Sequence, residues 1–374
     1  MDLSGSENPL RVLHCADIHL GHQKVKTIDT ANNIRKYLFP KLANVDLISI
    51  AGDIFHGRIA LDSPDSNIVI DLFVDLLVKC YENDVTLRVL NGTFSHDLHQ
   101  NDLITQLYKK LGLPVNYKLY KVLDIEYIQH LNIHILYVPD NLPFRHKHEI
   151  LTRINDLLIS HGIKQVDYVM LHGEFDNTLY GKYMHNAFNL SDFNGICRNR
   201  ILAGHVHSPQ QHGKLLYAGS FNRLAHGEEE PKGFWIVEGS EANFIENQEA
   251  VKFITLDYTS EDDLTTMLER HQKRMLNLPT AAESHVRVIL SDPHLKQALR
   301  SYHLGNFPTV KLTFKSKVVD KHSDQYLDEK LKSKLEEHLE APSLKNLPNL
   351  IYKHMTDQSI IINLESITRI LAEA

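Results

Sequence analysis

Cysteine is scarce, with three among 374 residues, at positions 15, 80 and 197. So sparse and odd a set excludes a disulfide framework and a cysteine-based zinc cluster, and it fits a reducing compartment. Long apolar runs are missing too. No stretch of eighteen apolar residues occurs, which leaves no candidate for a membrane-spanning helix. The first eight residues are polar and acidic and lack the basic and apolar blocks of a secretory signal, so the expectation is a cytoplasmic protein. Positive charge is in deficit: 40 lysines and arginines face 47 aspartates and glutamates, a net charge of −7. That excludes a uniformly basic coat for nucleic acid. It leaves open an enzyme of polyanions, because bound cations add local charge that a residue count omits.

Hydrophobic residues make up 43% of the chain, enough for a folded core, and the length is that of two or three domains. Apolar runs at residues 10–15, 47–51 and 86–90 read as buried strands. Residues 32–43, 66–82 and 101–111 carry helical spacing between and after them. Further strands are expected at 134–138, 168–171, 201–203, 215–218 and 234–237, with a helix at 149–159. The short spacing after residue 200 points to antiparallel pairing. Beyond about residue 250, helix 261–275, strand 285–290, helix 293–301 and strand 309–314 form a small α/β unit. Two more helices are expected at 326–340 and 356–374, separated by a proline-broken linker. No internal repeat or low-complexity tract is visible.

The 24 histidines are the unusual feature, and the informative ones sit where strands end. Five segments place Asp, His and Gly there: Asp17-Ile-His19, Gly52-Asp53-Ile-Phe-His56, Ser95-His96-Asp97, His172-Gly173 and Gly204-His205-Val-His207. An Asp-x-His pair leaving a strand sends both side chains to one side, because the side-chain period is two. Hydrolysis by a pair of divalent ions calls for this mixture of a bridging carboxylate with imidazoles. Alone, each segment is as well explained by turns and helix caps. Five in order, each after a short apolar run, are not.

The ordered set resembles the calcineurin-like metallophosphoesterase superfamily, and within it the SbcD-type nuclease subunit that works with the coiled-coil ATPase SbcC on double-strand breaks. His56 within the second motif supports the narrower likeness, as do the stretches Tyr217-Ala-Gly-Ser-Phe-Asn-Arg223 and Glu230-Pro-Lys-Gly-Phe234. The resemblance implies an α/β fold with a β-sandwich flanked by helices in four layers (αββα). It implies a nuclease domain over residues 1–248, a small α/β DNA-capping domain over 249–322 and a helical tail over 323–374. By the same likeness Asp17, His19, Asp53 and His207 hold a first metal, with Asp53 bridging, and His172 and His205 hold a second. The metals implied are two divalent ions, manganese by family habit. His96 would assist at the scissile phosphate with Asp97 orienting it, and His56 would position the strand for exonucleolytic cutting beside endonuclease activity.

One motif departs from the family. Its usual Gly-Asn-His-Asp is replaced by Gly92-Thr93-Phe94-Ser95-His96-Asp97, so Ser95 stands where the asparagine ligand of the second metal precedes the histidine. A similar pattern occurs in bacteriophage relatives, which would place the protein in a host cytoplasm. For DNA, alternation puts Lys311, Lys315 and Lys317 on one face of a strand, a phosphate-tracking stripe or an ordinary solvated face. Helix 356–374, with Ile360, Leu364, Ile367 and Leu371 on one stripe, is a docking face for the ATPase or packs on its own chain. Helix 66–82, with Ile70, Phe73, Val74 and Leu77, joins a homodimer bundle or the core. The alternatives to a DNA nuclease are a small-phosphodiester hydrolase of the same superfamily and a catalytically weak scaffold that binds DNA ends.

Overall fold

The computed structural model describes residues 9–140, 142, 147–176, 187–259, 263–278 and 284–315. The expected tail helices and Lys317 lie outside these residues.

Alternation along buried strands builds the main body. β1 (Arg11–Cys15), β2 (Leu47–Ala51) and β3 (Thr86–Leu90) run parallel at the middle of a six-stranded sheet. Its flanks are β4 (Tyr117–Tyr120) on one side and the antiparallel β11 (Gly233–Glu238) and β12 (Glu241–Glu246) on the other. Leu13, Ile48, Ile50, Leu87 and Val89 face one way, into a core shared with α2 (Pro64–Glu82) and Ile104 of α4 (Asp102–Leu111). Val12, Leu47, Ala51 and Leu90 face the other way, against a second sheet. That sheet has the order β5 (Asp124–Ile128), β6 (Ile133–Val138), β7 (Val166–His172), β8 (Cys197–Gly204), β10 (Leu215–Tyr217) and β9 (Gln210–His212). Ile135, Tyr137, Tyr168, Met170, Leu202 and Leu216 fill the space between the sheets. Leu136, Val169, Leu171 and Ile201 pack outward with Ile154 and Leu158 of α5 (Lys147–Ser160). Helix, sheet, sheet, helix is the four-layer arrangement expected.

Three local expectations need correction. Residues 32–43 are not one α-helix. α1 (Thr27–Asn33) passes into a π-helical turn, Ile34–Leu38, and then a 3-10 segment, Phe39–Asn44. Pro40 has no N–H to donate and its ring crowds the preceding turn, so regular helix stops there. Pairing after residue 200 is mixed: β8 and β10 are parallel, and only β9–β10 and β11–β12 are antiparallel hairpins. β4, β5, β9 and β12 went unread because their burial is partial or they are three or four residues long.

A smaller unit follows. β13 (Phe253–Asp257), β14 (His285–Ile289) and β15 (Lys311–Lys315) form a parallel sheet, with α6 (Leu264–Leu276) and α7 (Pro293–Asn306) in the crossovers. The Asp263 and Asp292 side chains cap these helices by accepting backbone N–H bonds from Thr265 and Thr266, and from His294 and Leu295. Leu256, Val286, Val288, Met267, Met275 and Leu299 form its own core. Among the described residues no helix is long and apolar enough to cross a membrane.

Candidate metal centre

The ends of β1, β2, β7 and β8 lie side by side, and the loops leaving them carry the site. Asp17, His19, Asp53 and His205 all take left-handed backbone conformations, with φ of 48°, 52°, 48° and 89°. Non-glycine residues rarely do so, and such strain persists where the surrounding structure fixes it. Close packing of the loops explains two glycines. A Cβ on Gly204 would sit 2.2 Å from the Ala51 carbonyl oxygen, and one on Gly52, whose φ is +88°, would sit 2.3 Å from Nδ1 of His172.

Donor atoms converge in these loops. Asp17, His19 and His207 form one group with ligand atoms all within 4.8 Å of one another, and Asp17, Asp53 and His172 form another. Asp17, His19, Asp53 and His172 are buried, while His205 and His207 are half-buried. Nε2 of His19 and Nε2 of His207 face each other at 3.1 Å. Two imidazole lone pairs at that distance repel unless a cation or a proton lies between them, and His207 has its other ring nitrogen on Glu228, 3.3 Å away. His172 gives its Nδ1–H to the Ala51 carbonyl at 2.7 Å and turns Nε2 to Asp53, 3.4 Å away. His205 packs edge-on against His172, and its backbone N–H meets the Asp17 carboxylate at 3.0 Å.

The electrostatics ask for positive charge. The charged partners of Asp53 are histidines: His19, His96 and His172. Burial raises Asp17 to about 6 against the pull of His172 and His207. Burial opposes charging His172, yet Asp53 and Asp17 beside it raise it to about 10. Burial and the neighbouring charged His172 lower His205 to about 4. Buried carboxylates amid imidazoles, with mixed oxygen and nitrogen donors, fit divalent transition ions.

His96 and His56 stand at the open side. Nδ1 of His96 bonds to Oδ2 of Asp53 at 2.7 Å, and this bond raises its pKa. His56 stacks on His96 with ring centroids 5.2 Å apart and meets Nδ1 of His19 at 3.2 Å.

Two expected roles change. Asp97 does not hydrogen-bond the His96 ring. Its carboxylate accepts the backbone N–H groups of Phe55 and Gly92, at 3.2 and 2.8 Å, and the Asn101 amide at 2.9 Å. It ties together the loops that follow β2 and β3. Ser95 is exposed on the short helix α3 (Phe94–Asp97). Thr93 is the residue that reaches the donors. Its N–H donates to Oδ1 of Asp53 at 2.6 Å, and its hydroxyl lies 3.3 Å from Oδ2 of Asp53 and 3.4 Å from Nε2 of His172. Gly92 permits this approach, since a Cβ there would fall 2.2 Å from the Asp53 nitrogen. In sequence both were candidates, since Thr93 directly follows the motif's glycine and Ser95 directly precedes its histidine, and spacing alone does not choose between them.

Lys311 and Lys315 are exposed on β15, with Leu312 and Phe314 turned to the core as the alternation predicted. The register adds residues to that face. Thr255, Arg287 and Thr313 align across the three strands, as do Phe253, His285 and Lys311. From there Lys24 and three histidines lead back to the centre, and burial lowers two of these histidines, His226 and His22, to about 4. His285 donates to the Lys24 carbonyl at 2.8 Å, and His226 bonds to Thr255 and feels the charges of Arg287, His285 and Lys24. His22, beside Lys24, stacks edge-on to His56 at 4.3 Å.

Comparison with protein-family models matches residues 10–209, more than half of the chain, to the calcineurin-like phosphoesterase family. A search of curated proteins finds no match.

Proposed function

The chain belongs to the calcineurin-like phosphoesterase family and is a metal-dependent phosphoester hydrolase, and from that premise we propose that its substrate is DNA. In this reading it is an SbcD-type nuclease subunit that cuts phosphodiester bonds during double-strand-break repair or recombination. The observation that carries the substrate is the run of basic residues just described. On a chain of net charge −7, the cations Arg287, Lys311 and Lys315 share one sheet face, and Lys24 adds a fourth near His226. His226 and His22 are themselves lowered to about 4 by burial and neighbouring positive charge, and they line the way to His56 as neutral rings. A small phosphodiester needs no such track, whereas a polynucleotide backbone does.

The donor set fits two ions. Asp17, His19, Asp53 and His207 would hold the first. Asp53, His172 and His205 would hold the second, with the Thr93 hydroxyl in the place expected of Ser95. Two divalent ions, manganese by the family's habit, would polarise the phosphoryl oxygens and acidify an attacking water. The chain's own groups do the rest. Asp53 pins His96 at Nδ1, so Nε2 of a protonated His96 is the atom that delivers a proton to the departing oxygen. His56 flanks it and narrows the entry to the centre. Asp97, through Phe55 and Gly92, fixes the loops on which Asp53 and Thr93 sit.

Partnership with a coiled-coil ATPase belongs to the same reading. A homodimer through α2 does as well, but Phe73 and Leu77 are committed to the core, which leaves the half-buried Ile70 and Val74 for a partner. Action in the cytoplasm is supported by three cysteines that are all free and buried.

The test uses the full chain with Mn2+ on labelled single- and double-stranded DNA, beside a small chromogenic phosphodiester. The reading expects both DNA and the small ester to be cleaved, with His96→Ala retaining Mn2+ and losing DNA cleavage by about two to four orders of magnitude. Cleavage of the small ester without DNA binding would return the protein to the small-substrate class. DNA binding without cleavage of either would make it a scaffold.

A further inference from the structure

Lys232 has no solvent exposure at all. A buried ammonium survives only where every N–H finds a partner and the charge is neutralised. Lys232 meets both needs. Its Nζ donates to the His207 carbonyl at 2.9 Å, to Oε2 of Glu228 at 2.9 Å and to Oε1 of Glu230 at 3.0 Å. Those are three acceptors for the three N–H bonds of an ammonium. Glu230 also accepts from the Ser208 hydroxyl at 2.7 Å. Glu228 has two further bonds, from the Leu224 N–H at 3.1 Å and from Nδ1 of His207 at 3.3 Å. Thus one buried cation grips the backbone of His207 and the carboxylate that contacts its ring.

We propose that Glu228 and Lys232 are positioning residues that hold His207 in the Nδ1–H tautomer, so that the Nε2 lone pair is always turned to the first metal. A carboxylate takes a hydrogen bond only as acceptor, so Nδ1 carries a proton, and in the neutral ring that binds a cation Nε2 is then the bare nitrogen. The bare Nε2 is the atom that faces His19 at 3.1 Å. A ligand fixed this way loses neither tautomer nor rotamer freedom on binding the ion, and orienting partners of this kind are worth about 10- to 100-fold in metal affinity. No similar carboxylate holds His172, whose Nδ1 is bound by the Ala51 carbonyl. That carbonyl fixes the tautomer of His172 in the same way, so the buried carboxylate–ammonium pair is the feature particular to His207.

This inference rests on the metal-binding reading of His207, and the experiment separates the two. In the metal-free full chain, NMR of histidine ring nitrogens reports the His207 tautomer, and Mn2+ titration by calorimetry and electron paramagnetic resonance reports the sites. Glu228→Gln is nearly isosteric, but its amide can donate to Nδ1 and reverse the tautomer. The expected result is a shifted His207 tautomer and about 10- to 100-fold weaker binding of the first Mn2+, with the fold unchanged. Wild-type tautomer and affinity in Glu228→Gln would overturn the proposal. His207→Ala is the control: if it binds both ions like wild type, the metal reading itself fails. Should Glu228→Gln prove unstable, Glu228→Asp, which keeps the charge, must restore the tautomer, and failure to do so also overturns the proposal.

Discussion

Thr93 and Ser95 are two residues apart and sit in different worlds. The Thr93 hydroxyl lies within 3.4 Å of both Asp53 and His172, while Ser95 is exposed on α3. Thr93→Val keeps the shape and removes the oxygen. It is expected to weaken the second Mn2+ by about tenfold or more, the worth of one charge-assisted contact, and to leave the first unchanged. Ser95→Ala is expected to be silent. Two-site calorimetric titration of each variant checks this, and a Ser95→Ala variant with a weakened second site would restore the original expectation. The motif residues were legible at this scale because Asp-x-His and Gly-His-x-His at strand ends leave few geometric choices. The choice between Thr93 and Ser95 was not, because it turns on whether two residues are inserted before or after the ligand. The left-handed conformations of Asp17, His19, Asp53 and His205 were hidden too, since no side chain there announces a positive φ. Glu228 was hidden because its contact with His207 spans 21 residues of sequence.

At the scale of elements, buried strands were read to within a residue or two wherever both faces were apolar, as in β2 and β3. Edge strands and the π turn after α1 were not, because their pattern depends on what covers them. The small unit contains an arrangement no pattern reveals. Tyr258, His271 and His303 form a buried relay: the Tyr258 hydroxyl lies 3.2 Å from Nδ1 of His271, whose Nε2 lies 2.9 Å from Nδ1 of His303. Nε2 of His303 donates to the Val310 carbonyl at 2.8 Å. With both rings neutral, every bond in the relay has one donor and one acceptor. Burial, aided by His303, lowers His271 to about 4 from an ordinary 6.5. The folded state therefore refuses a proton that the unfolded chain accepts below pH 6.5. Stability from this group is complete above that value and falls as the pH drops toward 4, by on the order of 3 kcal/mol in all. Hydrogen exchange of α6 and α7 amides, corrected for intrinsic rate, should show protection falling between pH 7 and 5. His271→Phe should flatten that fall, and an unchanged slope in the variant would refute the assignment.

At the scale of the molecule, net charge and the proposed DNA substrate pull in opposite directions. A chain at −7 repels DNA at long range, so whatever affinity it has must come from a local concentration of cations. The register of the third sheet supplies one, with Arg287, Lys311 and Lys315 on the face opposite the Val286, Val288 and Phe314 core. Phosphate neutralisation releases counterions, and each contact contributes about −0.9 to the slope of log affinity against log salt for duplex DNA and about −0.7 for single strands. Replacing the three residues together by glutamine should make the slope shallower by about two to three units. Binding of a labelled oligonucleotide by anisotropy, in metal-free buffer over a salt series, reads that slope directly. The same variant should hydrolyse a small chromogenic phosphodiester at the wild-type rate, since none of the three is among the donor residues of the centre. The two readings part cleanly on this pair of measurements. A shallower slope with intact small-ester hydrolysis assigns the sheet face to the polynucleotide backbone. An unchanged slope makes Lys311 and Lys315 an ordinary solvated edge, and the nucleic acid would then have to be held by the loops around His22 and Lys24 alone.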